Sequence, residues 1–491
     1  MNKVSISKFF NGLAGQTMIY GLGTIVPRLL NYLLLTPFYT RIFSVSQYGT
    51  VSELYAYSSL LLVLLIHGME TTYFRYSIDK KDEQDTFNHA LFSTALFASV
   101  FLLFALFCKN GIAELIGYKS NTNYIICFGF IIFFDVITAI PFARLRNQNR
   151  ALKFSLIKFF NITINVLLNI FFFVICKGSE NEFLASLYND NINVGYAFIS
   201  NMVASLFSFL MLLPEYKSFK FKISLSKYKV LLNYAWPLII IGIAGIINEV
   251  SDKIFIKHLS APNLDALQQV GIYAANYKLA VLMTIFIQMF NYAAEPYFFK
   301  KSKFADAKES YRVVMNYFVI FCLLIFLVVT LYIDIFKYFI GVKFHSGLPI
   351  VPIILLANMM LGIYYNLSVW YKINNMTSSG AVISLIGVVI TLLLNILLIP
   401  RIGYWGSAIA TFACYFVMVV VSYFWGQKVY KVNYNVGKIL IYSVLAVATL
   451  YVRKIFVTNN IYSTIAVSTL FILIYVCVLY YFERKNIKQL I

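Results

Sequence analysis

Residues 380–399 read GAVISLIGVVITLLLNILLI, a stretch without a single charge in which Asn395 is the only strongly polar side chain. Wound as a helix, about 20 residues cover the ~30 Å of bilayer hydrocarbon. A helix is the form required there, because it satisfies each backbone amide and carbonyl without water. Comparable apolar runs fall near 13–38, 49–69, 89–108, 122–143, 154–176, 193–213, 231–256, 270–295, 313–334, 347–371, 403–425, 438–456 and 461–482. Composition agrees: 60% of the 491 residues are hydrophobic and 12% are charged, with a mean hydropathy of +0.77. A soluble domain carries about 25% charged residues. The expected fold class is therefore an all-α integral membrane protein of about fourteen transmembrane helices, with connections too short to house a separate catalytic domain.

The net charge of +20 sits in these connections. Of the 40 Lys and Arg, 26 fall at the ends and loops on the N-terminal side and 11 on the other. The positive-inside rule then places both termini in the cytoplasm, in keeping with an even number of spans. The strongest anchors are Arg144, Arg146, Arg150 and Lys153, then Lys217 through Lys229, then Lys300, Lys301 and Lys303. Basic loops suit the headgroups of anionic membrane lipids, and no soluble face is left for nucleic acid to bind. Six cysteines are scattered through apolar segments without a CxxC pair, so they read as small buried hydrophobes. Lys3 and Lys8 precede the first run with no cleavage site after it, which predicts a retained first helix.

Two short echoes recur at nearly one offset. Gln47-Tyr48-Gly49 is matched by Gln269-Val270-Gly271, and Leu167-Leu168-Asn169-Ile170 by Leu393-Leu394-Asn395-Ile396. The shared offset predicts two parallel repeats, as in many transporters. The expected division is residues 1–215 (helices 1–6), residues 216–430 (helices 7–12), and two additional C-terminal helices over 431–491.

Charges at bilayer depth are costly, about 2.5–3.5 kcal/mol or more, and usually face a bundle interior or a wet cavity. Arg28 follows Pro27 inside the first run, and Thr17, Tyr20, Thr24 and Asn31 share its helical stripe. It could line a cavity and grip a phosphate, or pair with a carboxylate on a neighbouring helix. In Asn248-Glu249-Val250-Ser251-Asp252-Lys253, Glu249 and Lys253 are four apart and could pair on the helix surface, with Asp252 pointing elsewhere. Alternatively Glu249 or Asp252 exchanges a coupling ion while Lys253 meets substrate charge. Asn276 and Lys278 lie in the eighth run, and Gln288, Asn291 and Glu295 continue its polar face; Lys278 either snorkels or lines a cavity. Glu70 and Arg75 close the second run, and Asp135 and Lys158 are expected to pair across the fourth and fifth. No HExxH, GxxxxGK[ST] or GxSxG motif occurs, and the four histidines have no metal spacing. Neither catalytic residue, cofactor nor metal is expected.

Arg28-Leu29-Leu30-Asn31-Tyr32, Pro37-Phe38-Tyr39-Thr40-Arg41-Ile42-Phe43 and Gln47-Tyr48-Gly49 together resemble the opening of bacterial polysaccharide (O-antigen) flippases. These belong to the multidrug/oligosaccharidyl-lipid/polysaccharide exporter superfamily. Gly68-Met69-Glu70 with Arg75-Tyr76, Pro237, Asp252-Lys253, Val270-Gly271-Ile272-Tyr273 and Ile399-Pro400-Arg401-Ile402-Gly403, followed by Gly406 through Thr411, resemble later parts of the family in the same order. Lys253 stands where an arginine is common, and Ser407 where an alanine is usual. The resemblance implies two six-helix lobes around a cavity that opens alternately to either side. It implies as substrate an oligosaccharide carried on undecaprenyl diphosphate, and a multi-pass protein of the bacterial inner membrane; a monomer is expected, because one chain completes both lobes. Arg28 would contact the diphosphate, with Lys253 and Lys278 supporting it. Asn31, Asn248, Asn276, Gln288 and Asn291 would meet sugars, and a proton or sodium ion could drive the cycle. Two rivals stand beside this reading: a multidrug or cation exporter of the same superfamily, and a membrane oligosaccharide polymerase. The first would need acidic cavity residues, and the second a long outer loop.

Overall fold

The computed structural model describes residues 26–27, 29–77, 80–148, 150–374, 376–456 and 460–490. The described chain is helical almost throughout. Helix α1 covers residues 29–42. It is followed by α2 (Val45–Ile66), α3 (Met69–Tyr76), α4 (Lys80–Phe107), α5 (Asn123–Asn147), α6 (Ala151–Ile170), α7 (Gly195–Tyr216) and α8 (Leu225–Leu259). Then come α9 (Ala266–Leu279), α10 (Val281–Lys301), α11 (Ala307–Leu331), α12 (Val351–Leu367), α13 (Val369–Ile373), α14 (Thr377–Ile402), α15 (Tyr404–Val429), α16 (Val436–Ile455) and α17 (Ile461–Leu490). Among the described residues, twelve helices are long and apolar enough to cross a membrane. A thirteenth candidate is the pair α9–α10, which meets at a 52° bend. The eighth apolar run is thus two helices broken at Ala280 rather than one continuous span. Most of the first expected span, 13–38, lies outside the described residues.

Local sequence chemistry sets the breaks. Ser44 opens α2 with a capping box: its Oγ accepts from the Gln47 amide at 3.2 Å, and the Gln47 side chain accepts from the Ser44 amide at 2.8 Å. Between α2 and α3 the chain turns through His67 (φ 39°) and Gly68 (φ 72°), both left-handed. His67 Nδ1 lies 2.6 Å from the Leu65 carbonyl. A carbonyl only accepts, so Nδ1 carries the proton and Nε2 accepts from Ser93 Oγ at 2.7 Å. This non-glycine left-handed residue is held by two hydrogen bonds inside a span.

The chain divides into two compact units. One comprises the described residues up to Phe43 with Thr50–Ile254; the other comprises Ser44–Gly49 with Phe255–Ile491. In the first, Met69, Tyr73, Phe87, Ile140 and Ala235 form a buried cluster joining α3, α4, α5 and α8. Its basic residues also pair within the unit. Arg150 and Lys153 both bond the buried Glu215, at 2.8 and 2.7 Å. Arg146 pairs with Glu70 at 3.1 Å, and Arg144 donates to Gln84 at 2.8 Å while stacking 4.2 Å over Phe87. In the second unit Ala357, Tyr364, Trp370, Ile383 and Cys414 form the core between α12–α13, α14 and α15.

The two copies of the Leu-Leu-Asn-Ile echo occupy matching environments. Asn169 and Asn395 are each fully buried. Asn169 Nδ2 donates to the carbonyl four residues back, Asn165, at 2.8 Å, and its Oδ1 accepts from the Tyr39 hydroxyl at 2.9 Å. Asn395 does the same with Thr391 at 2.7 Å and the Ser407 hydroxyl at 2.9 Å.

Candidate functional site

The polar face of α10 reaches a cavity inside the second unit. Asn291 and Glu295 supply one wall, and Tyr365, Ser368 and Lys372, from the end of α12 through α13, supply the other. Ala294, Phe298, Val369 and Ile373 make the remaining surface apolar. The cavity volume is about 190 Å³. Lys372 Nζ donates to Glu295 Oε1 at 2.7 Å, with both side chains partly exposed. Ser368 Oγ donates to the Tyr365 carbonyl at 2.6 Å.

An amide, hydroxyls and an ion pair beside aromatic and aliphatic carbon suit a ligand with both hydroxyl edges and apolar faces. The volume falls below the ~300–1,000 Å³ of ordinary ligand clefts, so it suits one part of a large molecule. Asn291 and Glu295 are legible from their spacing on one helix face. Tyr365, Ser368 and Lys372 carry no such signal, because they end an apolar run and read as a topological boundary.

The other expected site residues are dispersed. Arg28 lies outside the described residues. Asn31 is exposed on α1. Asn276 is fully buried, and its Nδ2 donates to the Ile272 and Phe344 carbonyls, both at 2.8 Å. That pairing fastens α9 to the loop before α12. Lys278 and Gln288 are half-buried, on α9 and α10 respectively. On α8, Asn248 and Asp252 are buried while Glu249 is exposed. The expectation that Asp252 points away from Lys253 is corrected: Lys253 Nζ donates to Asp252 Oδ1 at 2.9 Å. The same oxygen accepts from the Lys253 backbone amide at 2.8 Å, which turns the carboxylate toward its neighbour. Asp135 accepts from Ser205 Oγ at 2.8 Å, and the Lys158 ammonium rests 4.1 Å from the Phe142 ring centre. One intramembrane carboxylate escapes the sequence reading: Glu53 in α2 is fully buried and accepts from the Tyr118 hydroxyl. Among the described residues no group of three or more His, Cys, Asp or Glu side chains could hold a metal.

Comparison with known proteins adds descent to this geometry. A family model described as "Polysaccharide biosynthesis protein" matches residues 13–302, more than half of the chain. The chain is 23% identical over 293 residues to "Lsg locus putative protein 1" of Haemophilus influenzae; the match covers 59% of this chain and 66% of that relative's length. Its fold is similar to that of the lipid II flippase MurJ in an inward closed conformation, with a TM-score of 0.69 at 16% identity, over 96% of this chain and 100% of the other. It is also similar to the MATE multidrug transporter DinF-BH, with a TM-score of 0.61 at 14% identity, over 85% and 96% of the two chains. An outward-facing multidrug resistance transporter of the MATE family gives 0.58 at 12%, over 84% and 95%. At these identities the structural likenesses establish the fold.

Proposed function

The chain belongs to the polysaccharide biosynthesis protein family, and on that premise we propose that it is a flippase for lipid-linked oligosaccharides. It takes repeat units carried on undecaprenyl diphosphate, assembled at the cytoplasmic face of the bacterial inner membrane, and turns them to the outer leaflet by alternating access. The observation that carries this reading is the family match across 13–302. The lobe division at 215 and 430, cytoplasmic termini, and drive by a proton or sodium ion belong to the same proposal. A cavity must shelter sugar hydroxyls and a diphosphate from hydrocarbon, while the polyprenyl tail stays in lipid. Asn291, Ser368 and Lys372 offer polar groups for one sugar or phosphate along that route.

Deletion of the gene in its host tests the reading. The expected result is loss of surface polymer with undecaprenyl-linked repeat units accumulating, both reversed by the restored gene. Normal polymer with altered resistance to toxic cations would move the assignment to drug export. Single repeat units reaching the outer surface without elongation would indicate a polymerase.

A further inference from the structure

Lys372 and Glu295 pair at the cavity of the second unit, and they reach it from 77 positions apart in the chain. Other pairs nearby are local: Lys301 bonds Asp306 at 2.6 Å, and Arg312 bonds Glu309 one helical turn away. The backbones that carry the two cavity charges are fixed. Lys372 follows Trp370 and Tyr371, both buried, and Trp370 Nε1 donates to Ser422 Oγ on α15 at 3.2 Å. Glu295 lies between the buried Ala294 and Phe298 on α10, and the Phe298 carbonyl accepts from the Tyr311 hydroxyl at 3.0 Å. The charged ends themselves are open, with 52% of the Glu295 side chain and 34% of the Lys372 side chain exposed.

Bracing α10 against α13 does not need this pair, because Ala294, Phe298, Tyr311, Val369 and Val432 already form a buried apolar cluster. Nor does an exposed ion pair hold helices firmly, since solvent screens it and ordering two long side chains costs entropy. The same weakness makes the pair easy to exchange. An ammonium is a compact point charge that takes one anion in place of another. The apolar remainder of the lining strengthens its attraction to whichever anion carries more charge. A diphosphate carries more than one negative charge, where a carboxylate carries one. Asn291, four residues before Glu295 and on the same helix face, adds neutral amide donors for phosphate oxygens. We propose that Glu295 is an exchangeable counter-ion: a lipid-borne diphosphate takes Lys372 from it on loading, and the carboxylate reclaims the ammonium on release. This deepens the flippase reading and rests on it. Glu295 thereby excludes lipids with uncharged headgroups, which offer the lysine nothing in its place.

Binding and export, read together, test the exchange. The purified full chain is titrated with undecaprenyl diphosphate, undecaprenol or phosphatidylglycerol, and bound lipid is counted by native mass spectrometry. Glu295→Gln keeps the shape but drops the competing charge, so it should bind the diphosphate roughly threefold tighter. Lys372→Gln should bind it roughly tenfold weaker. The double variant should match Lys372→Gln, since Glu295 acts through the lysine, and undecaprenol should respond to neither change. Unchanged or weaker diphosphate binding by Glu295→Gln would overturn the exchange. Equal responses of phosphatidylglycerol would overturn it too, by marking a general site for anionic headgroups. In cells, Glu295→Gln should export less glycan at normal protein level despite binding more tightly, because release slows. A pair that only supports the fold would lose both together, and native export from Glu295→Gln would overturn its part in release. If Lys372→Gln cannot be purified, Glu295→Gln and Lys372→Arg decide, the latter binding close to the native protein. Should deletion of the gene leave the glycan intact, the flippase reading fails instead, while the binding measurements still report on the site.

Discussion

Arg28 and Asn291 would contribute to transport on different scales, because one brings a charge and the other a neutral amide. A hydrogen bond to a charged group contributes about 1.5–3 kcal/mol, a neutral one about 0.5–1.5 kcal/mol. Arg28→Ala should therefore cut glycan export by roughly tenfold or more at unchanged protein level, since ~1.4 kcal/mol is a factor of ten. Arg28→Lys should keep part of it, charge surviving without the bidentate fork. Asn291→Ala should cost only a few-fold. Surface glycan measured against membrane protein level checks all three, and full export with either Arg28 variant would remove the diphosphate role. At this scale the sequence is an uneven guide. It marks which residue types are out of place in a span, but pairings depend on side-chain torsions that spacing does not encode. Asp252 shows this: its carboxylate folds back onto the next amide and captures Lys253, where helical periodicity favours Glu249.

Among the helices, the two buried asparagines give the clearest link from sequence to packing. Each ties its helix to a hydroxyl on another, Tyr39 for Asn169 and Ser407 for Asn395. Interhelical hydrogen bonds in membranes couple by about 0.6 kcal/mol on average and at most about 1.7. Double-mutant cycles of Asn169→Leu with Tyr39→Phe, and of Asn395→Leu with Ser407→Ala, should each yield a coupling in this range in detergent unfolding. A coupling indistinguishable from zero in both would show the bonds to be incidental. The spans themselves are readable because twenty apolar residues admit few structures. The bend at Ala280 is not, because no proline or glycine marks it. Nor is the helix break at His67–Gly68, since its left-handed histidine depends on Ser93 from α4, a contact remote in sequence. The Leu-Leu-Asn-Ile echo is informative since each copy contains the asparagine whose hydrogen bonding ties two helices together.

For the whole molecule, the basic residues serve two ends. Their bias to alternate connections sets the expected orientation, while Glu215, Glu70 and Gln84 bind several of them into the first unit. The membrane class, the family and the helical fold are all legible before any coordinates, because hydropathy and ordered motifs extend along the whole chain. The cavity is only half legible, since its second wall arrives from α12–α13, some 70 residues further along the chain. What transport demands of the whole is a change of leaflet, and that can be measured directly. Inside-out and right-side-out membrane vesicles from the deletion strain and its complemented parent would be treated with a membrane-impermeant periodate, and the oxidised fraction of lipid-linked repeat units counted. The deletion strain should hold its repeat units almost wholly on the cytoplasmic face, and the complemented strain should carry a substantial fraction on the outer face. Equal distribution across the two leaflets with and without the protein would contradict the flippase reading.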